Sequence, residues 1–125
     1  MFLLYFKFNK NAILYYWAPI LGAYIPDLDA LPLLSKWHRV LCHNIIFLGL
    51  IVAGFVIIKL PLLAIQLFFL GFLSHLILDS ATKMGINWAI PFGEFRIRGP
   101  VETGSIIDYL IGFTFLLIGL LMVVV

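Results

Sequence analysis

The feature that most constrains this chain is a set of apolar runs too long and too unbroken for a water-soluble core of its size. Ile45 to Ile58 holds no polar side chain, and Ile106 to Val125 carries a single charge, Asp108. Of 125 residues, 64% are hydrophobic and 11% charged, against about 25% charged in ordinary soluble domains. A soluble domain of this length has too little interior to hide so much apolar surface. A bilayer removes the difficulty, because lipid faces the apolar side chains directly.

Four apolar segments are expected to form helices. The first, roughly Asn11 to Ile25, is short and aromatic, with Tyr15, Tyr16 and Trp17. It reads as a tilted or interfacial helix, or one that borrows residues from Met1 to Phe8. The second is Ile45 to Ile58, which Val40 to Asn44 can extend. Lys59-Leu60-Pro61 then forms a tight turn, with Pro61 suited to the first turn of the third helix. The third runs from Leu62 to about Ala81 and the fourth from Ile106 to Val125. None of the runs alternates as a membrane β-barrel requires. Gly49, Gly54, Gly71, Gly112 and Gly119 fit helices packed closely in lipid. The expected fold is all-α: one domain over residues 1–125, a multi-pass membrane bundle of about four embedded helices.

Lys7 and Lys10 follow an apolar start rather than opening the chain, and the next stretch ends in Tyr24-Ile25-Pro26 rather than a small-residue cleavage site. All residues are therefore read as mature protein. If all four segments cross, the long loops Pro26 to Arg39 and Thr82 to Ser105 share a side. They carry five basic residues (Lys36, Arg39, Lys83, Arg96 and Arg98) against three (Lys7, Lys10 and Lys59) on the other. The positive-inside rule then places the long loops in the cytoplasm of a cell-membrane protein. A net charge of +2 gives no basis for binding nucleic acid. Cys42 is the single cysteine, so no internal disulfide forms.

Charges beside membrane helices are costly, and each needs a reason. Asp27 and Asp29 sit where the first segment ends, His38, Arg39 and His43 just before the second, and His75 and Asp79 in the last turns of the third. On the four-pass topology, six His and Asp residues meet at one membrane face, including every histidine in the chain. His75 and Asp79, four apart, project from one helix face. His38 and His43 converge if a helix starts between them. Imidazole with carboxylate suits zinc, manganese or iron, and no thiolate set for a structural zinc site exists. Such a mixed set leaves room for an open coordination position.

Local readings compete. Asp27 after Pro26 can cap a turn, Asp79 can bond nearby backbone, and Arg39 can be a positive-inside anchor. Ser105-x-x-Asp108 before an apolar run resembles a capping box. Gln66 reads as an interhelical donor and Cys42 as a small apolar filler. For the six His and Asp residues each local reading explains one residue, and none explains their shared location.

Three blocks, Ile25-Pro26-Asp27-Leu28-Asp29-Ala30, His38-Arg39-Val40-Leu41-Cys42-His43 and Gly71-x-x-Ser74-His75-x-x-x-Asp79, occur in this order. Thr82-x-x-Gly85, Ile90-Pro91-Phe92, Phe95-Arg96-Ile97 and Thr103-Gly104-Ser105 with Asp108 follow. Together they resemble the predicted membrane-bound metal-dependent hydrolases, the YdjM-like group. The pattern departs at Ala30, where the group has His, at Val40 for Gly and at Cys42 for Thr, and no histidine precedes His38. The resemblance implies a divalent metal, zinc or manganese, held by Asp27, Asp29, His38, His43, His75 and Asp79. In that reading Asp29 or Asp27 is the general base and Arg39 clamps a phosphate or a developing negative charge. The site's depth points to a membrane lipid or lipid-linked ester, a phosphoester first, or another small-molecule ester. A non-catalytic metal-binding scaffold is the alternative. A metal-ion or proton transporter would need polar residues continuing across the membrane, and the second segment has none.

Overall fold

A computed structural model describes residues 15, 17–30, 40–111 and 113–114. Helix α1 spans Trp17–Tyr24 and runs directly into a 3-10 helix, Ile25–Ala30. Helix α2 spans Ile45–Ile57 and α3 Leu62–Ser80. Strands β1, Ile86–Asn87, and β2, Arg96–Ile97, form a small antiparallel pair inside the second long loop. A further helix opens at residue 106.

Each end of α2 has a local cause. Asn44 caps its start: the side-chain oxygen accepts from the Phe47 amide at 2.8 Å, while its NH2 donates to the carbonyls of Val40 and Leu41. Residues 40–44 therefore fold as bends, and the expected extension of this helix back to Val40 is not seen. At the other end the Leu60 amide donates to Phe55 and the Lys59 amide to Val56, with Lys59 at φ 59°. This is the paired-bond helix stop that usually takes glycine at the left-handed position. The turn sends α3 back antiparallel, so the start of α2 and the end of α3 lie at one end of the molecule.

Helix α3, 19 residues with a mean hydropathy of 1.9, is the one described helix long and apolar enough to cross a membrane. At 1.5 Å per residue it reaches about 28 Å, close to the thickness of a bilayer core. The 13 residues of α2 reach about 20 Å.

Helix α1 lies along α3 with almost no space between the backbones. A methyl group at Gly22 would strike the backbone of Phe68 and Phe72, and one at Gly71 would strike Pro19. Gly49 and Gly54, expected to mark similar close packing, face open space, and Gly112 and Gly119 fall outside the described residues. The buried core gathers Ala18 from α1, Leu48 from α2, Leu67, Phe68, Phe72 and Leu76 from α3, and Ile86 from β1. Ser105 caps the last helix as expected, accepting from the Asp108 amide, while Asp108 reaches back to Gly104. Gln66 is exposed and makes no side-chain hydrogen bond among the described residues, so the expected interhelical donation is absent.

Candidate metal centre

Three elements bring the polar residues together at the shared end of α2 and α3. From α3, His75 and Asp79 project one turn apart, with Nε2 to Oδ2 at 3.5 Å. The bend before α2 delivers His43, which is fully buried. The 3-10 helix delivers Asp27 and Asp29, two residues apart and so about 240° apart around a three-residue turn.

That angular difference gives the two carboxylates different work. Asp27 Oδ1 lies 3.5 Å from the Nε2 atoms of both His43 and His75. Asp29, also fully buried, meets the opposite side of the His43 ring, with Oδ2 3.3 Å from Nδ1. The Asp-x-Asp pair thus brackets a single imidazole at both nitrogens. Asp29 Oδ2 also accepts from the Cys42 amide at 3.2 Å, which ties the bend to the 3-10 helix. A carboxylate only accepts, so Nδ1 of His43 carries a proton toward Asp29, and Nε2 is turned toward the other three side chains.

The Nε2 atoms of His43 and His75 face each other at 3.3 Å. Two imidazole nitrogens at this distance either share one proton or turn to a common cation. The donor atoms of Asp27, His43 and His75 form a triangle with sides of 3.3, 3.5 and 3.5 Å. Ligands bonded at 2.0–2.1 Å around a tetrahedral ion stand about 3.3–3.4 Å apart, so this triangle fits one ion without rearrangement. Asp79 Oδ2 borders it, 3.1 Å from His43 Nε2. Two imidazole nitrogens beside carboxylate oxygens are a donor set that could hold a metal ion.

Charge follows the same geometry. The His43 and His75 imidazoles hold the Asp27 carboxyl well below the usual carboxylate range, against burial. Burial alone would lower the His43 pKa, but the Asp27 and Asp79 carboxylates, with Asp29 behind, raise it to about 9. Lys83, the cation nearest Asp79 in sequence, instead pairs with Glu102 at 3.3 Å. Among the described residues, the carboxylate at the negative end of α3 is compensated by the His43 and His75 imidazoles.

His38 and Arg39 lie outside the described residues. Helix α2 begins after His43, so no helix starts in the described part of the interval between the two histidines. The orienting position of Asp29 was not anticipated. Its signal is the two-residue spacing itself, read on a three-residue turn.

The other block residues are accounted for by structure. Gly71 admits the Pro19 backbone, Ser74 donates to the Gly71 carbonyl, and the Thr82 hydroxyl donates to Asp79 O and accepts from the Gly85 amide.

A family model described as YdjM inner membrane protein matches residues 1–125. No curated protein and no solved structure matches the chain.

Proposed function

The chain belongs to the YdjM inner membrane protein family, and from that premise we propose that it is a membrane-embedded, metal-dependent hydrolase of a lipid or lipid-linked ester, most simply a phosphoester. The observation that carries this reading is the 3.3–3.5 Å triangle of Asp27, His43 and His75 donors. In this reading those three residues hold a zinc or manganese ion, Asp79 serves as a further ligand, and Asp29 sets the tautomer and direction of His43. When bound, such an ion lowers the pKa of a water molecule and polarises a phosphoryl or acyl oxygen. Asp27, with its side chain 51% exposed, is the solvent side of the site and the carboxylate suited to passing a proton outward. In this reading Asp29, fully buried at the far nitrogen of the His43 ring, orients that ring rather than acting as the base. His38 as another ligand and Arg39 as the phosphate clamp complete the proposal.

The proposed setting is a single domain of about four embedded helices, with the site and both long loops at the cytoplasmic face. A second reading, a metal-stabilised scaffold without catalysis, draws on Asp79. On a strictly four-coordinate ion, Asp79 as the fourth protein donor leaves no position for water, whereas the hydrolase reading requires an ion of higher coordination number, and Ala30 stands where the resemblance expects a histidine. Purified protein should be screened against short-chain phosphoesters and carboxyesters, with and without chelator. The hydrolase reading predicts turnover that chelation abolishes and that Asp27→Asn reduces by at least about 100-fold, the usual scale of general acid–base catalysis. A metal-loaded protein that hydrolyses none of them, yet melts at lower temperature after chelation, supports the scaffold instead.

A further inference from the structure

The β1–β2 pair forms a second polar site that the metal centre does not use. Ile86 pairs with Ile97 and Asn87 with Arg96. Because side chains alternate along a strand, Arg96 and Arg98 leave on the side of Asn87, away from the buried Ile86. There they line a groove of about 640 Å³ with Asn87, Ile90 and Glu94. Both guanidinium groups are exposed, and neither is in an ion pair among the described residues. Gly85, at φ 60°, leaves room for the stem of the second. A side chain there would collide with the Ile97 carbonyl and with Arg98 Cγ at 2.6 Å, so glycine lets the Arg98 stem lie across the turn.

The groove sits at the end of the bundle where α2 starts and α3 stops, not on a free loop. The Trp88 carbonyl accepts from the amide of Ile45, the first residue of α2, at 3.2 Å. The Trp88 indole donates to Ser80, the last residue of α3, at 3.0 Å. The hairpin is therefore clamped over the helix ends at the same face as the histidines. Two large apolar side chains beside the arginines point outward: Phe92 is 85% exposed and Phe95 61%. The Phe95 backbone is held by Asn87 and Trp88 on either side, so its ring is presented rather than loosely hung.

We propose that this groove binds the phosphate of an anionic glycerophospholipid, with Arg96 and Arg98 on the phosphate oxygens and the rings of Phe92 and Phe95 in the acyl boundary. Two guanidinium groups against one carboxylate leave the groove net positive, and guanidinium forks match phosphate oxygens in pairs. The phenylalanines identify the source of the phosphate as lipid. Rings so exposed have no partner in water and a natural one where headgroups meet acyl chains. Glu94 is left to bond headgroup hydroxyls, while Asn87 is buried and holds the Ala89 and Phe95 amides.

The full chain in neutral detergent should be titrated with dihexanoyl phosphatidylglycerol, dihexanoyl phosphatidylcholine and inorganic phosphate, with bound ligand read by native mass spectrometry. The phosphatidylglycerol should bind at least about ten-fold more tightly than the other two, and more weakly as salt rises. The double variant R96Q/R98Q should lose roughly thirty-fold in affinity, the equivalent of about 1 kcal/mol per basic residue at an anionic lipid surface. R96K/R98K, which keeps the charge but not the fork, should lose less than R96Q/R98Q, and K83Q should stay within about three-fold of wild type. Three results would overturn the proposal: no loss in R96Q/R98Q, an equal loss in R96K/R98K or K83Q, or phosphate binding as tightly as the lipid.

Discussion

Replacing Asp29 by Asn tests the division of labour inside the Asp-x-Asp pair. Asp29 is fully buried, and among the described residues its Oδ2 meets His43 Nδ1 at 3.3 Å and accepts from the Cys42 amide at 3.2 Å. An asparagine oxygen still accepts from one of these donors, and the side chain is nearly the same size, so the bend and helices should persist. The loss falls on His43, whose ring is no longer held by a full negative charge at its far nitrogen. Removing such an outer partner of a metal-binding histidine typically costs 10–100-fold in metal affinity, or about 1.4–2.7 kcal/mol. His43→Ala, which deletes a proposed ligand, should abolish stoichiometric binding altogether. Competition of purified protein with a chromophoric chelator measures both. If Asp29→Asn loses metal as completely as His43→Ala, Asp29 is itself a ligand. Unchanged affinity would mean that it serves only the Cys42 amide. Either result refutes the orienting role.

Two other outcomes follow from packing and charge. Gly71→Ala places a methyl group against the Pro19 backbone; α1 must move off α3, and overpacking of this kind costs about 1–3 kcal/mol, so thermal melts should fall, whereas Gly49→Ala, which meets open space, should not destabilise. His43 has a folded pKa of about 9 against an ordinary 6.5, so its proton stabilises the metal-free fold fully below pH 6.5 and that contribution is lost as pH rises through 9. A metal bound at Nε2 would take the proton's place; melts at pH 6.5 and 9 should therefore diverge for metal-free protein and agree more closely for loaded protein, and parallel shifts would count against the shared site.

Periodicity made part of the site legible in the sequence and left part hidden. His75 and Asp79 could be placed together because a four-residue spacing fixes a shared helix face whatever the tertiary fold. Gly71 was readable as a place of close helix approach, but Gly49 and Gly54 carry the same local signal and face open space. Partner position, not glycine, decides. The contact of Asp29 with the far nitrogen of His43 was hidden because it depends on how a 3-10 turn docks on a distant bend. Asn44 stopped α2 where an apolar pattern alone would have continued it. The β1–β2 pair, two residues per strand, is too short to show alternation.

The most direct test of the central claim is the metal content of the purified protein, by elemental mass spectrometry, beside that of His75→Ala and Asp27→Asn. The account predicts about one zinc- or manganese-type ion per wild-type chain, and near-complete loss in His75→Ala with helical content retained. Asp27→Asn should fall below wild type. Wild-type protein that takes up no divalent ion, or a His75→Ala variant that keeps a full equivalent, would contradict it.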